Sequence, residues 1–276
     1  MALLGAIPFL AYVALFLLLP TVIVAAGAFI GPSGFTLDGI AALTQPFIVA
    51  AFVNSVVVSA VSAVAGAVLG AILAYAVATG NPNGVLRRVV TAASGVVAQS
   101  GGVTLAFAFI ATIGGAGFVY LFLQAHGLDI YANGIWLFKP AGLILVYLYF
   151  QIPLMVLVFL PSVDGIRPQW REATESLGGS AWHYWRHVAG PLLLPGFSGA
   201  FLLLFANAFS AYATAAALVN QGGILVPLQI SNELSSEVGL NHPEQASALA
   251  LGMVVIVAVV MTLYALLQRR TTRWLS

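Results

Sequence analysis

The sequence has little charge and no cysteine. Of its 276 residues, only 6% are charged, whereas 61% are hydrophobic. Soluble domains carry about 25% charged residues, and a chain of this length could not bury so much apolar surface in a soluble core. The absence of cysteine excludes disulfide bonds, thiol catalysis and metal sites with cysteine ligands. The composition therefore predicts an integral membrane protein.

Motifs for nucleotide and metal binding are missing as well. The only lysine, Lys139, stands before a proline, so the chain has no phosphate-binding loop of the Gly-x-x-x-x-Gly-Lys-Ser/Thr type. His183 and His187 are four residues apart and could share a helix face, but with few carboxylates nearby they fall short of the usual zinc ligand sets. We therefore expect no metal, no cofactor and no catalytic residue in this chain, and any ATP hydrolysis would need a partner subunit.

Long apolar runs make up most of the chain. Several reach about 20 residues, the length of a helix that crosses a bilayer, and they are continuous rather than alternating, which indicates helices and not a β-barrel. The first run is longer than the apolar part of a signal peptide and has no basic start, which favours an uncleaved span. The predicted fold class is all-α, with six transmembrane helices at residues 3–30, 51–79, 89–114, 141–162, 192–219 and 246–268, the third interrupted at 99–102.

Charge is distributed unevenly among the loops. With both termini in the cytoplasm, every base except Lys139 falls on the cytoplasmic side. Because basic loops stay in the cytoplasm, the pattern predicts this orientation. The cytoplasmic bases are Arg87, Arg88, Arg167, Arg171, Arg186, Arg269, Arg270 and Arg273, and the outer acids are Asp38, Asp129, Glu233, Glu237 and Glu244.

Residues 163–191, between the fourth and fifth spans, form a polar and aromatic insert. Pro168 suits the first turn of a helix, and Gly178 and Gly179 allow the left-handed backbone that ends one. Ser180 is a suitable N-cap for a second short helix. The insert therefore predicts a helix, a glycine turn and a second helix. The expected points of return to the membrane are Pro191 and Pro195.

Such an element has two sensible functions. It could lie on the membrane surface, with its tryptophans at the interface. It could instead project from the membrane and dock in the groove of a partner. Physical arguments leave the two nearly even, and the carboxylates on the first helix slightly favour a protein partner.

The residues of the insert resemble the EAA loop of bacterial type I ABC importer permeases. The pattern of that family is Glu-Ala-Ala, three residues, Gly, nine residues, then Ile-x-Leu-Pro. This sequence has Glu172-Ala173, Gly178 at the family spacing, and Val188 after nine further residues. It departs from the pattern with Thr174 in place of Ala, Val188 in place of Ile, and Gly190 where Leu is usual.

A second segment, FVNSVVVSAVSAV at residues 52–64, resembles the start of the core of the same family. The resemblance implies a bacterial inner-membrane protein with the type I ABC importer permease fold. It implies an N-terminal span with the first periplasmic loop at 1–50, and a core of five helices at 51–276. The implied partners are two cytoplasmic ATPase subunits that hold ATP and Mg, a second permease in a heterodimer rather than a homodimer, an external solute-binding protein and membrane lipid, with no nucleic acid.

In that family the EAA loop forms a coupling helix in a cleft of the ATPase. ATP binding closes the ATPase pair, and the permeases switch from inward-facing to outward-facing. The resemblance implies that Arg171 and Glu172 contact the ATPase and that Gly178 lets the turn fit the cleft, while Trp182 and Trp185 pack the second helix against the core. The residues implied in coupling are Arg171, Glu172, Ala173, Thr174, Gly178, Gly179 and Trp182.

Polar side chains within the apolar spans are candidates for a substrate path. Such groups face the bundle interior or a water-filled path, although they can also bond neighbouring helices. Thr214 is set aside because threonines often bond their own helix backbone. No ionisable side chain lies mid-span, which argues against a proton- or ion-coupled transporter. The path candidates are Asn54, Gln99, Gln151, Asn207, Ser210 and Tyr212.

The substrate is indicated only by resemblance. Residues 35–55 resemble permeases for polyamines, ferric iron, thiamine and phosphonates. Relatives for polyamines and iron often carry an acid where this chain has Ala211, which weakens the case for a cation site in the fifth span. A sugar-importing permease is the next possibility. A channel or secondary transporter would work without an ATPase, and a membrane enzyme would need a cluster of acid, base or metal residues that the sequence lacks.

Overall fold

The structure, a computed structural model, is helical nearly throughout the part of the chain that it describes, as the apolar runs predict. Four of the charged residues used above to predict the orientation are not described by the structure. Arg273 and Glu237 lie outside the described residues, as do the side chains of Arg269 and Arg270. The described residues are 2–31, 34–132, 134–219, 224–235 and 243–272.

The helices are α1 (Ala2–Val13), α2 (Leu19–Gly27), α3 (Asp38–Ala42), α4 (Pro46–Ala78), α5 (Val85–Ala98), α6 (Val103–Ile113), α7 (Phe118–Ala125), α8 (Pro140–Asp164), α9 (Pro168–Ser176), α10 (Ala181–Tyr184), α11 (Gly190–Phe209), α12 (Tyr212–Leu218), α13 (Val226–Leu234) and α14 (Pro243–Thr272). Two π-helical segments, Ala14–Leu18 and Trp185–Ala189, join α1 to α2 and α10 to α11. Two short antiparallel strands, β1 (Ile30–Gly31) and β2 (Gly34–Phe35), place Ile30 opposite Phe35.

Six helical stretches are long and apolar enough to cross a bilayer, which confirms the predicted number. The first, second, fourth and sixth agree closely with the predicted spans, whereas the third and fifth have different bounds. The stretches are Ile7–Gly27, Pro46–Ala78, Val103–Ala125, Pro140–Asp164, Ala181–Phe209 and Pro243–Leu266.

The third span was predicted at 89–114, with an interruption at 99–102. The structure has α5 and α6 over this range, and the helix breaks between Ala98 and Val103, as the polar and glycine residues there predict. The stretch that is apolar and long enough to cross a bilayer is instead Val103–Ala125, in which α7 follows α6 across residues 114–117. By length and composition the span is therefore displaced towards the C-terminus, and the break at 99–102 lies directly before it.

The break between α5 and α6 lies level with the middle of α8. Arg87, near the start of α5, forms a bidentate ion pair with Asp164, the last residue of α8, with distances of 3.1 Å (Nη1–Oδ1) and 2.5 Å (Nη2–Oδ2). The hydrogen bond to Asp164 raises the pKa of Arg87. A Cβ on Gly101 would lie 3.8 Å from Phe150, which is about 21 Å along α8 from Asp164. The helix α5 thus runs beside α8 from one end to its middle.

The fifth span begins earlier than predicted. The second helix of the insert continues without interruption through the π-helical segment into α11, so Pro191 and Pro195 lie within the span and do not mark its entry. In an α-helix the ring of a proline clashes with the carbonyl four residues earlier. For Pro191 that residue is His187, which lies in the π-helical segment, where the wider turn changes this contact.

The chain forms two compact units, residues 1–55 with 221–259, and residues 56–220 with 260–276. In the first unit, Ile48 and Ala51 of α4 pack with Val226 and Leu249 in a small apolar core. In the second unit, α4 packs closely on α8. These two units are called the first and second unit below.

Glycines allow the close approach of α4 and α8 in the second unit. A Cβ on Gly66 would lie 2.9 Å from Gln151, and one on Gly70 would lie 2.7 Å from the carbonyl oxygen of Ile152 and even closer to Met155. The two glycines are four residues apart, the small-residue spacing that lets transmembrane helices approach each other. The sequence motif thus packs helices within the chain.

We expect Gly70→Ala to lower the free energy of unfolding by about 1–3 kcal/mol, because overpacking a tight contact costs that much. Gly95→Ala in α5 is the matched control, since nothing lies within 4 Å of a Cβ at that position. Thermal unfolding of both variants in detergent would test this. Equal melting temperatures for the two alanine variants would contradict the packing role of Gly70.

Candidate functional site

A cavity of about 420 Å³ lies where two breaks in the helices meet, within the second unit. The first break lies between α5 and α6, and the second lies at Ser210 and Ala211, between α11 and α12. No charged side chain lines the cavity among the described residues. Its walls include four of the predicted path residues, Gln99, Asn207, Ser210 and Tyr212.

Buried side chains bond the backbone groups that the two breaks release. Gly102, whose φ of +91° favours glycine, donates its N–H to Thr214 Oγ1 at 2.8 Å, and Thr214 is only 2% exposed. Tyr147 of α8 donates its hydroxyl to the carbonyl oxygen of Ala211 at 3.0 Å. Non-helical backbone is tolerated at membrane depth where it is bonded within the protein or lines a water-filled cavity. The first condition holds for these two backbone groups, and the breaks also line a cavity.

Three residues that shape the cavity escaped the sequence analysis. Thr214 was set aside as a residue that bonds its own helix, but it bonds the other break. Tyr147 and Phe150 looked like ordinary apolar residues of the fourth span. The available signal was the pair of polar and glycine interruptions in two spans, since each interruption requires hydrogen-bond partners from elsewhere in the fold.

Gln151 is completely buried and does not line the cavity. Its Nε2 donates to Ser62 Oγ at 3.2 Å, while its Oε1 has no hydrogen-bond partner among the described residues. The contact with Ser62 joins α8 to α4. The sequence left two functions open for Gln151, lining a path or bonding a neighbouring helix. In the structure it bonds a neighbouring helix.

Asn54 belongs to the first unit and is not among the residues that line the cavity. Its Nδ2 is 3.4 Å from the carbonyl oxygen of Ile224, and the neighbouring Ser55 accepts the N–H of Val226 at 2.9 Å. These bonds hold the start of α13 against α4. The path role predicted for Asn54 therefore has no support from its position.

The insert folds as a helix, a glycine turn and a second helix, as its sequence predicts. The helix α9 ends with two bonds, from the N–H of Gly178 to the Glu175 carbonyl at 3.0 Å and from Gly179 to Thr174 at 2.9 Å. This pattern is the Schellman motif, and Gly178 has the left-handed φ of +80° that it requires. Ser180 stands at the N-cap position of α10, but its Oγ lies 2.9 Å from His183 Nδ1 and does not cap the backbone.

The surface of the turn exposes both apolar and charged groups. Leu177, directly before the glycines, is 89% exposed. Arg171 and Glu175 form an ion pair one helical turn apart, with Nε 3.0 Å from Oε1, and this bond raises the pKa of Arg171. Glu172 is exposed beside them. An exposed leucine flanked by charged groups is suited to a partner's groove.

The two tryptophans of the second helix differ in their surroundings. The ring of Trp185 contacts that of Tyr75 edge to face, with centroids 5.2 Å apart, and so packs on the core as predicted. The expectation that Trp182 packs in the same way is wrong, since 68% of its surface is exposed within this chain. The two positions are three residues apart, nearly one helical turn, and Trp185 is the one at the level of Tyr75 in α4.

The two histidines of the insert stack on each other with ring centroids 6.0 Å apart. His183 Nδ1 faces Ser180, and His187 Nδ1 lies 3.2 Å from the carbonyl oxygen of His183. Among the described residues, no group of three His, Cys, Asp or Glu side chains is placed to hold a metal ion.

Solved structures have the same fold. A bacterial ABC transporter that imports the acidic polysaccharide alginate matches with a TM-score of 0.77 and 18% identity, over 97% of this chain and 95% of that chain. A bacterial alginate ABC transporter in complex with its alginate pentasaccharide-bound periplasmic protein gives 0.75 with 18% identity, over 98% and 95%. The MetNI methionine ABC transporter gives 0.54 with 16% identity, over 83% and 99%. The type I ABC importer permease fold is thereby confirmed.

Among curated proteins, the chain is 28% identical over 151 residues to the thiamine transport system permease protein ThiP of Escherichia coli (strain K12) and equally to that of Salmonella typhimurium (strain LT2). The matches cover 52% of this chain and 26% of each relative, so the chain spans about a quarter of the length of these relatives. The family profile described as binding-protein-dependent transport system inner membrane component matches residues 66–273. With its six membrane-spanning helices, the chain belongs to this family of multi-pass bacterial inner-membrane proteins.

Proposed function

We propose that this chain is the permease subunit of an ATP-driven solute importer, with residues 51–276 as its core. It forms the translocation path and follows the closure of a cytoplasmic ATPase through residues 163–191. The observation that carries this proposal is the helix, glycine turn and helix of the insert, whose tip exposes Leu177 and Glu172. Both termini and the insert lie on the cytoplasmic side, as the distribution of arginines supports.

The cavity at the two helix breaks is the proposed path. Uncharged polar groups line it, and the backbone departs from helical geometry at the same depth. Irregular backbone at this depth is a feature of transporter sites, where it lines a water-filled cavity. Gln99, Asn207, Ser210 and Tyr212 are the path residues of this proposal.

The insert is the proposed coupling element. Arg171, Glu172 and the exposed face around Ala173 and Thr174 contact the ATPase, while Gly178 and Gly179 fix the angle of the turn. Trp182 is exposed in this chain, and in the assembly it contacts the ATPase. ATP and Mg are held by the ATPase subunits and not by this chain.

The proposed assembly contains two ATPase subunits, a second permease and an external solute-binding protein. The family name, binding-protein-dependent transport system, supports the last of these. A different second permease is preferred over a second copy of this chain. The proposed substrate is a small solute of the group that includes thiamine, polyamines, iron and phosphonates, and the identity with thiamine permeases supports this choice.

Purification from native membranes in a mild detergent tests the assembly. We expect a soluble ATPase to remain bound in stoichiometric amount, because the insert offers an exposed docking surface. Mass spectrometry of the bound proteins would identify it. A chain that binds no ATPase and still transports solute in liposomes would overturn the proposal in favour of a channel or secondary transporter.

Gly178→Pro should leave the chain in the membrane but reduce ATP-driven uptake at least about tenfold, the effect of some 1.4 kcal/mol of lost docking energy. Proline fixes φ near −65° and has no N–H, whereas Gly178 has φ +80° and donates to Glu175. Uptake and the amount of chain in the membrane would both be measured. Gly178→Asn is the matched control, since asparagine visits the left-handed region.

Glu172→Lys tests the same surface without a change in the backbone. Reversing the charge of an interfacial carboxylate should weaken ATPase binding and uptake together, while Glu172→Gln should have a smaller effect. If uptake by both Gly178→Pro and Glu172→Lys equalled that of the unmodified chain, the coupling role of the insert would be refuted.

Asn207→Phe should abolish uptake, because the larger ring occupies the cavity between the two breaks. ATPase binding should be unchanged, since the insert is not altered. Asn207→Ser, which keeps the cavity open, is the control and should retain most of the uptake. Transport by Asn207→Phe at the normal rate would show that the substrate does not pass through this cavity.

A further inference from the structure

A crevice opens between α4, α8 and the fifth span at the end of the second unit that carries the arginines. Two cavities of about 370 Å³ and 600 Å³ form it. Both are lined by Tyr75, Val163 and Trp185, so they adjoin at these three side chains. The two adjoining cavities are called the crevice below. Neither cavity includes a residue of the proposed path.

The inner half of the crevice is apolar. It lies between the membrane-spanning parts of α4, α8 and α11, and a polar ligand would lose its hydration there without compensation. Hydrocarbon is therefore the chemistry that this half accepts. Besides the shared residues, its main lining side chains are Ala71, Ile72, Phe159, Leu193, Leu194 and Phe197.

The mouth of the crevice is polar and carries a guanidinium. Thr79, Arg171 and Tyr184 line it together with Tyr75. Arg171 is close enough to both phenol groups to interact with them electrostatically. Its ion pair with Glu175 uses Nε. A guanidinium has five N–H donors, so the donors on its two terminal nitrogens are not used by this ion pair. Arginine binds phosphate through such donors, often two at a time.

The crevice lies within one leaflet of a bilayer. From Ala71 to Thr79, α4 rises about 12 Å with the polar mouth included, and the hydrocarbon of one leaflet is about 15 Å thick, half of about 30 Å. The apolar half therefore has room for the part of an acyl chain nearest the headgroup. The aromatic residues Tyr75, Tyr184 and Trp185 lie at the mouth, the depth at which tyrosine and tryptophan are enriched in membrane proteins. The change from polar to apolar lining therefore falls where lipid changes from headgroup to acyl chain.

We propose that this crevice binds an anionic phospholipid, with its phosphate at Arg171 and one acyl chain along the inner half. The local charge favours an anion, because the bases outnumber the acids at the start of α5 and in the insert. The volume favours a chain over a helix, since one turn of a helix about 10 Å wide fills about 400 Å³, more than the whole apolar half. The bases are Arg87, Arg88, Arg167, Arg171 and Arg186, and the acids are Asp164, Glu172 and Glu175.

Photolabelling of the intact transporter in nanodiscs tests the acyl-chain site. The probe is phosphatidylglycerol with a photoreactive group in the middle of one acyl chain, diluted in phosphatidylcholine. We expect labelled peptides around Ala71, Ile72, Leu194 and Phe197. Ala71→Phe should lower this labelling about tenfold, the effect of losing burial of roughly two methylenes. Ala76→Phe is the control, because Ala76 is exposed on the same helix and lines neither cavity.

The headgroup site has a separate test that does not depend on packing. Arg171→Gln changes an exposed side chain and should reduce the preference for labelled phosphatidylglycerol over labelled phosphatidylcholine towards one. Arg167→Gln, at an exposed base that does not line the mouth, should keep the preference.

Two results would overturn the proposal. One is labelling spread evenly over all lipid-facing helices and unaffected by Ala71→Phe. The other is an unlabelled crevice whose residues cross-link to a helix of a second permease. The readout is lipid labelling and not uptake. The amount of bound ATPase is measured in the same samples, so that a loss of ATPase docking in Arg171→Gln is told apart from a loss of the phosphate contact.

Discussion

Hydrogen bonding of the backbone inside the membrane is the constraint on which this structure depends. Lipid offers no partner to a free N–H or C=O, so an interrupted helix is stable only where the protein or water supplies one. The chain is interrupted between α5 and α6 and again between α11 and α12, and the two interruptions lie side by side. Thr214 bonds Gly102 across the two spans, and Tyr147 bonds the carbonyl of Ala211. These bonds stabilise the two breaks next to each other, and the cavity lies between them.

Most of the fold could be predicted from the sequence, because lipid imposes a simple rule on composition. Each crossing needs about 20 apolar residues, and the runs are long enough to be counted. Their bounds are harder to predict. The fifth span starts at Ala181 rather than at residue 192, because a π-helical turn allows Pro191 to stand inside a helix. That turn follows from the packing around it, which a local pattern does not record.

The site was only partly predictable, for a related reason. Polarity within an apolar run marks residues that avoid lipid, but it does not say whether they face a cavity or another helix. Asn207 and Gln151 look alike in sequence, because both are polar residues in an apolar run. Asn207 lines the cavity, whereas Gln151 of α8 is buried against α4 and bonds Ser62. The insert was easier, because its turn is determined locally by two glycines. Even there, Trp182 and Trp185 look alike in sequence, yet one is exposed and the other packs on Tyr75.

The continuity of the fifth span connects the two parts of the site. From Ala181 to Phe209 the helix runs for 29 residues, about 43 Å. One end follows the turn at Gly178, and the other supplies Asn207 to the cavity and stops at the break beside Tyr147. A displacement of the insert is therefore carried along one helix to the cavity. The π-helical turn, Pro191 and Pro195 lack regular α-helical bonds, so a bend in this helix is expected in the half nearer the insert. In the proposed importer, an ATPase can thus act on the path through the insert without touching the path itself.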